Sequence, residues 1–316
     1  TDPVASIVIR TYNEEEHLER LLLGVRNQLV PFDYEIVVVD SGSTDATVAI
    51  AMRHGARLIH ITPEEFSFGF SLNKGIENSR GEFCVFISGH CYPVQREWLA
   101  NLIAPFSDPA VALVYGKQRG TDTTKYSEHQ IFQRWFGDGG KGRQDSVFCN
   151  NANAAIRKER WRECRFNETI TGLEDIDWAK KVVERGHFIF YAPDAAVIHV
   201  HKESYRQIFR RYEREALALR GIYPHDSFSL LDFLKLYLLN VLSDCFHAFK
   251  EGVFLKSCAG VLAMRLFQFW GTYKGHNYRD AVSQGLRYKF YYPKKPEMYK
   301  RLEIVRNATA AGKQDL

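Results

Sequence analysis

The 316 residues hold 45% hydrophobic and 14% aromatic side chains with a formal net charge of +4, enough apolar material for one large domain or a domain with an appendage, and too much for a disordered chain. The charge is uneven: from Phe228 onward fourteen Lys/Arg face seven Asp/Glu, a local +7, so the first 227 residues carry −3. No dense basic run accompanies this, which excludes nucleic acid as the expected partner, and no uncharged apolar run reaches the ~18 residues of a membrane span.

Ser6 to Arg10 (SIVIR) predicts a strand ending at the polar turn Thr11-Tyr12-Asn13. Asn13 followed by Glu14, Glu15 and Glu16 suits a helix start, because acids complement the dipole there. Leu18, Leu21, Leu22 and Val25 then recur at helical spacing. Glu35 to Val39 (EIVVV) predicts a second strand stopping at Asp40, with Ser43 or Thr44 capping a helix to about His54. Arg57 to Ile61 and Phe83 to Ile87 predict two more strands, with a helix over Leu72 to Ser79 between them. Farther on, Val111 to Gly116, Phe188 to Ala192 and Ala196 to Val200 read as strands. Ser127 to Phe136, Glu174 to Arg185 and Ser204 to about Arg220 read as helices. Pro224 marks a boundary between residues 1–223 and a helical, basic region 224–316. The six cysteines form no CxxC pair and read as reduced, mostly buried thiols of a cytosolic protein.

Strands alternating with helices, with near-continuous apolar runs, predict a parallel sheet covered on both faces. Ligands of such sheets bind beyond the carboxyl ends of the strands. Tyr12-Asn13, Asp40 and Ser88-Gly89-His90 all fall at that edge, far apart in sequence and adjacent in the predicted fold.

The segments ASIVIRTYNEE, EIVVVDSGSTDAT, LNKGIENSRGEFCVFIS, GLEDIDW and HVHKES, in this order and spacing, resemble the inverting family 2 glycosyltransferases with a GT-A fold. The resemblance runs from about Ala5 to Tyr212. HVHKESYRQIFRRY and LFQFWGTYKG are most similar to O-antigen and rhamnosyltransferase-like members. It implies an α/β, Rossmann-like GT-A domain with a mainly parallel central sheet and helices on both faces, followed by a C-terminal α-helical region. It further implies transfer of a sugar from a nucleotide diphosphate sugar donor to a glycan or lipid-linked glycan acceptor, in bacterial-type surface polysaccharide synthesis.

Residue by residue, the resemblance sets Thr11, Tyr12, Asn13, Glu14, Asp40, Ser43, Lys74, Ser88 and Gly89 toward the nucleotide and diphosphate. Arg210 and Arg211 have guanidinium forks suited to phosphate oxygens. Asp175, with Glu174 beside it, takes the place of the catalytic base at a helix N-terminus. Asn151, Asn153 and Trp178 fall in the region that binds acceptor and donor sugar. Each has a plainer reading: helix caps and first-turn acids, solvated helix faces, a polar loop, or, for Trp178, the core.

Most metal-using members read Asp-x-Asp where this chain has Ser88-Gly89-His90, an oxygen pair suited to Mg²⁺ or Mn²⁺. Three readings stay open. His90 with His199 or His201 forms a Mn²⁺-type site, since imidazole shifts preference toward softer ions. Alternatively no metal binds, and His90 with Arg210 or Arg211 stabilises the diphosphate. In the third, His90 is a turn histidine in a nucleotide- or glycan-binding pseudoenzyme. A sugar nucleotidyltransferase is a weaker rival, because TYNEE offers no Gly-rich phosphate loop.

Phe228 to Phe249 and Val253 to Tyr273 are rich in Leu, Phe and Val with single charges between. Such helices pack on the core, form a homo-oligomer, or lie in a membrane interface. The basic, aromatic run Arg287 to Lys295 favours the interface, and with it a cytoplasmic protein peripheral on the inner face of the inner membrane.

Overall fold

The computed structural model describes residues 2–280 and 282–291. In chain order come β1 (Ala5–Thr11), α1 (Leu18–Arg26), β2 (Tyr34–Asp40), α2 (Thr47–Arg53), β3 (Arg57–His60), α3 (Phe68–Glu77) and β4 (Phe83–Ser88). Next are β5 (Cys91–Pro93), α4 (Trp98–Ile103), β6 (Val111–Arg119), α5 (Tyr126–Trp135), β7 (Gly142–Gln144), β8 (Asn153–Arg157), α6 (Lys158–Glu163), α7 (Glu174–Glu184) and β9 (Phe188–His199). Helices α8 (Tyr205–Ile222), α9 (Leu230–Lys250), α10 (Phe254–His276) and α11 (Gln284–Tyr291) complete the described chain. From the basic, aromatic run, Tyr292 to Lys295 lie outside the described residues.

The strands form one nine-stranded sheet in the order β3-β2-β1-β4-β8-β6-β9-β5, with β7 also on β9. It is mixed, with the longest ladders parallel, as expected, and antiparallel ones added. The ladders β1–β2, β1–β4, β2–β3 and β6–β9 are parallel, whereas β8 runs against β4 and β6, and β5 and β7 run against β9. The expected strands at Phe188 to Ala192 and Ala196 to Val200 are one continuous strand. Gly116 pairs with Ala192 and Gln118 with Val197, so the residues between, including Pro193, bulge out of register. A bulge is where a strand tolerates proline.

The side-chain period of two splits the core between the sheet's faces. Ile7, Ile9, Val85 and Ile87 pack with Leu18, Leu21, Leu22 and Trp98 on one side. Val8, Val37, Cys84 and Phe86 pack with Leu72, Ile76 and Trp178 on the other. All six cysteines are free thiols, and Cys84, Cys91 and Cys149 are buried.

Two expected helix caps differ. Asn13 adopts a left-handed φ of 54° and caps nothing; its Oδ1 accepts from Thr44 N–H at 2.8 Å. Helix α1 begins only at Leu18, and α2 begins after Ala46 rather than Ser43 or Thr44. The polar residues after β1 and β2 lace the two loops to each other instead of starting helices. Asn13 N–H donates to Ser43 Oγ at 2.8 Å and Glu14 N–H to Thr47 Oγ1 at 2.7 Å.

The chain divides into two compact units, Thr1–Lys202 with Asp244–Val261, and Glu203–Ser243 with the chain from Leu262 on. In the second, Ser204 and Gln207 close a capping box at the start of α8. Helices α8 and α10 meet backbone to backbone at Gly271 and Gly275. A Cβ there would lie 2.4 Å from the Phe209 carbonyl oxygen and 2.2 Å from that of Glu213. The glycines of LFQFWGTYKG therefore have a packing reason. Along α9, Leu231, Leu238 and Leu242 are exposed. Their spacing sets them on one stripe, with Lys235 beside it. Among the described residues no helix is long and apolar enough to cross a membrane.

Candidate active site

The carboxyl ends of β1, β2 and β4 lie side by side, with Thr11 opposite Asp40 and Arg10 opposite Ser88. Asp40 is buried, and its carboxylate accepts from Thr11 Oγ1 at 3.1 Å, Gly42 N–H at 3.1 Å, Ser43 N–H at 3.0 Å and Ser43 Oγ. It shapes the loop after β2, and the lacing to Asn13 extends that order to the loop after β1. Tyr12 is half-buried on this floor.

On the other side of β1, Glu174 and Asp175 open α7. Leu173 before them has a left-handed φ of 55°. Asn13 and Leu173 are the two non-glycine residues with positive φ among the described ones, and both border the site, where such backbone strain is commonly stored. Asp175 Oδ2 accepts from Asn151 N–H at 3.1 Å, and Oδ1 from Ile176 N–H at 2.9 Å. Glu174 Oε1 lies 3.2 Å from Arg10 Nη1 and 3.4 Å from Asn151 Nδ2. Burial first, and then the adjacent Glu174 carboxylate, push Asp175 up to about 7 against the pull of the two amides and Arg10. That is a carboxyl tuned for proton transfer near neutral pH. Arg10 escapes a sequence reading because it merely closes an apolar strand. Its one signal is a charge at a strand's carboxyl end.

Ser88 N–H donates to the Ala152 carbonyl at 3.2 Å, joining the turn after β4 to the loop that holds Asp175. In that turn His90 meets His199 and His201 from the end of β9. Their candidate ligand atoms lie within 4.8 Å of one another, and Nε2 of His199 is 2.9 Å from Nε2 of His201. Each Nδ1 faces an oxygen: His90 faces Glu14 Oε1 at 2.8 Å, His199 faces Gln118 Oε1 at 2.7 Å, and His201 faces Glu128 Oε1 at 2.7 Å. Two imidazole nitrogens this close either share a hydrogen bond, Nε2–H of one ring to Nε2 of the other, or flank a cation. The donor set fits a divalent ion of borderline softness, with both His199 and His201 present rather than one of them. Gln118 and Glu128 carry no sequence motif that marks them.

Three expected site residues, Trp178, Asn153 and Lys74, lie elsewhere. Trp178 is fully buried, donates from Nε1 to the Cys164 carbonyl and packs on Phe166, so it cannot wall an acceptor. Trp178→Ala should lower unfolding free energy by about 3–5 kcal/mol in a denaturant titration, the cost of a core cavity. Asn153 is also fully buried. Its Nδ2 donates to the Lys117 and Ala195 carbonyls at 3.0 and 2.8 Å, and its Oδ1 accepts from Trp98 Nε1 at 2.9 Å. It pins three strands and is not offered to a sugar. Asn151, by contrast, touches the acid pair. Lys74 sits in the last turn of α3, paired with Glu77 at 3.4 Å. A crossover helix runs against its strands, so that turn faces the opposite edge of the sheet. Arg210 and Arg211 lie on α8 in the second unit, where Arg211 pairs with Glu203 at 2.7 Å.

A sequence profile described as Glycosyl transferase family 2 matches residues 6–164, just over half of the 316. The chain belongs to glycosyl transferase family 2. As a family 2 member it is 29% identical over 215 residues to glycosyltransferase AglE of Haloferax volcanii, covering 63% of this chain and 67% of that protein. It is 30% identical over 197 residues to the O-antigen chain rhamnosyltransferase WbaN of Salmonella anatum, 56% of this chain and 60% of WbaN. With RfbN, an O-antigen chain rhamnosyltransferase of Salmonella typhimurium, it shares 27% identity over 66% of this chain and 69% of RfbN. Among solved structures, mannosyltransferase PcManGT from Pyrobaculum calidifontis, in complex with GDP-Man and Mn²⁺, matches with a TM-score of 0.63 at 20% identity over 89% of both chains. TarS 1-349 of S. aureus matches at 0.53 and 17%, over 88% of this chain and 94% of TarS. The fold of this family 2 chain is GT-A, and the chain is a glycosyltransferase of glycan synthesis.

Proposed function

We propose that this chain is an inverting transferase that moves a sugar from a nucleotide diphosphate donor onto a hydroxyl of a glycan or lipid-linked glycan, in assembly of a bacterial-type surface polysaccharide. The observation that carries this reading is the buried Glu174–Asp175 pair, anchored by Arg10 and Asn151, with Asp175 raised to about 7. The names of WbaN and RfbN support the product class. GDP-Man with PcManGT and UDP with TarS support the donor class.

Asp175, as carboxylate, takes the acceptor hydroxyl's proton while that oxygen bonds to the anomeric carbon. The bond from that carbon to the diphosphate breaks, its electron pair leaves on the diphosphate oxygen, and attack from the opposite face inverts the centre. Asn151 N–H orients Asp175 Oδ2, and Arg10 fixes Glu174 so that its charge keeps the neighbouring carboxyl basic. Tyr12, Asn13 and the loop ordered by Asp40, Thr11 and Ser43 frame base and ribose, and Ser88 and Gly89 face the diphosphate. A divalent ion held by His90, His199 and His201 would supply charge neutralisation to the departing diphosphate.

Thermal shift with GDP, UDP and dTDP, with and without Mn²⁺, should single out one nucleoside diphosphate. NMR of the transfer product should then show an inverted anomeric centre. A retained centre would sink the inverting assignment, and indifference to every nucleoside diphosphate would sink the donor class.

The exposed stripe Leu231, Leu238 and Leu242 on α9, beside Lys235 and in a region with a +7 surplus, supports docking on an anionic bilayer where lipid-linked acceptors reside. The cytoplasmic leaflet of an inner membrane has that charge. A variant carrying Leu231→Asp, Leu238→Asp and Leu242→Asp should stop floating with vesicles containing phosphatidylglycerol. Unchanged flotation, or a stripe that instead controls dimer formation in light scattering, contradicts the bilayer reading.

A further inference from the structure

We infer that Glu14, Gln118 and Glu128 form an oxygen shell behind His90, His199 and His201 that makes Nε2 the coordinating nitrogen of each ring, and that this site takes Mn²⁺ or Co²⁺ in preference to Mg²⁺. The inference rests on the reading that the three histidines hold the ion at the donor diphosphate. The site is built rather than incidental, because the shell and the rings come from five parts of the fold. Glu14 follows β1, Gln118 ends β6, Glu128 lies in α5, and the rings come from the turn after β4 and from the end of β9. Gln118, Glu128 and His199 are buried.

A ring whose Nδ1–H is held by an oxygen has one tautomer and one orientation, and presents the Nε2 lone pair. With Oε1 of Gln118 toward its ring, all three histidines share that state. Nε2 of His199 and His201 then face each other at 2.9 Å, an arrangement that a cation between them stabilises.

Glu14 has a second role here. Ser88-Gly89-His90 brings no carboxylate to the turn, yet the Glu14 carboxylate lies 2.8 Å from His90. A Cβ at Gly89 would stand 2.9 Å from Glu14 Cγ and 3.1 Å from Cδ. Glycine at 89 thus makes room for a carboxylate delivered from the neighbouring loop. Glu14 N–H is held by Thr47 Oγ1 at 2.7 Å, which fixes its backbone. The negative charge usual at this turn returns behind the imidazole rather than on the ion. Nitrogen donors with carboxylates one hydrogen bond removed favour Co²⁺ and, less strongly, Mn²⁺ over Mg²⁺, which demands direct oxygen ligands.

The test is calorimetric titration of the EDTA-stripped full chain with MnCl₂, CoCl₂ and MgCl₂, alongside the visible absorption of bound Co²⁺. The intact chain should bind Mn²⁺ and Co²⁺ at least about tenfold more tightly than Mg²⁺, and His199→Ala should abolish both. Glu14→Gln and Glu128→Gln keep side-chain shape. Each should weaken Mn²⁺ about 10- to 100-fold while leaving the metal-free melting temperature in place. Wild-type affinity in both Gln variants, with binding lost in His199→Ala, overturns the oxygen shell and leaves the three-histidine reading standing. Equal affinity for Mg²⁺ overturns the preference. A wild-type chain that binds neither Mn²⁺ nor Co²⁺ overturns the reading and the inference together.

Discussion

Asp175→Asn should slow sugar transfer by about 10²- to 10⁴-fold and leave nucleoside diphosphate affinity within about twofold. The amide matches the carboxylate in shape and still accepts from Asn151 N–H, so the loop after β7 keeps its anchor. What is lost is the proton acceptor. The wild-type pH profile gives an independent check. A general base works unprotonated, and Asp175 is raised to about 7. kcat/KM should therefore be at its plateau above that pH and fall about tenfold per unit below it. Glu174→Gln should move the acid limb to lower pH, because the like charge that helps to raise Asp175 is gone. Wild-type rates in Asp175→Asn, or an acid limb that ignores Glu174→Gln, would remove Asp175 from the role of base.

The sequence is legible where a pattern and a chemical type coincide. β1, β2 and β4 are long enough to show apolar runs, and their ends converge on one edge whatever the flanking loops do. β5 and β7 are three residues each, too short to carry a period, so the mixed character of the sheet stays hidden. Pro193 breaks the pattern of β9 although the strand absorbs it in a bulge. At the site, Asp175 is legible only through the surrounding GLEDIDW segment, because acids are common at helix starts, whereas His90 stands out as a histidine where a carboxylate is usual. Asn153 and Trp178 mislead for another reason. An amide or indole has the same identity whether it meets a sugar or a buried carbonyl, and the partners that decide between these, Lys117, Ala195 and Cys164, are distant in the chain. Gln118 and Glu128 are invisible for the same reason, since their meaning lies wholly in the histidines they face.

Arg10 offers the sharpest electrostatic test of the site. It pairs with Glu174 at 3.2 Å, donates to the Phe68 carbonyl at 3.3 Å and lies over the Phe68 ring. Its positive charge opposes the rise of Asp175. In Arg10→Gln that opposition disappears, and the Asp175 carboxyl should rise further, by up to about one unit. The sign is fixed: with less positive charge nearby, a carboxylate ionises at higher pH. At pH 7 kcat/KM should drop up to about fivefold, and at pH 9 most of it should return, which a misfolded variant cannot reproduce. Stability should respond with the same sign. Glu174 becomes a buried charge without its cation, a loss of about 3–5 kcal/mol near neutral pH, and the penalty should shrink as acid protonates Asp175 and removes the like charge beside it. Arg10→Lys, which keeps the charge but not the planar fork, should hold the acid limb close to its wild-type position and recover part of the stability. An acid limb unmoved in Arg10→Gln would mean that Asp175 is not the group whose ionisation limits the reaction.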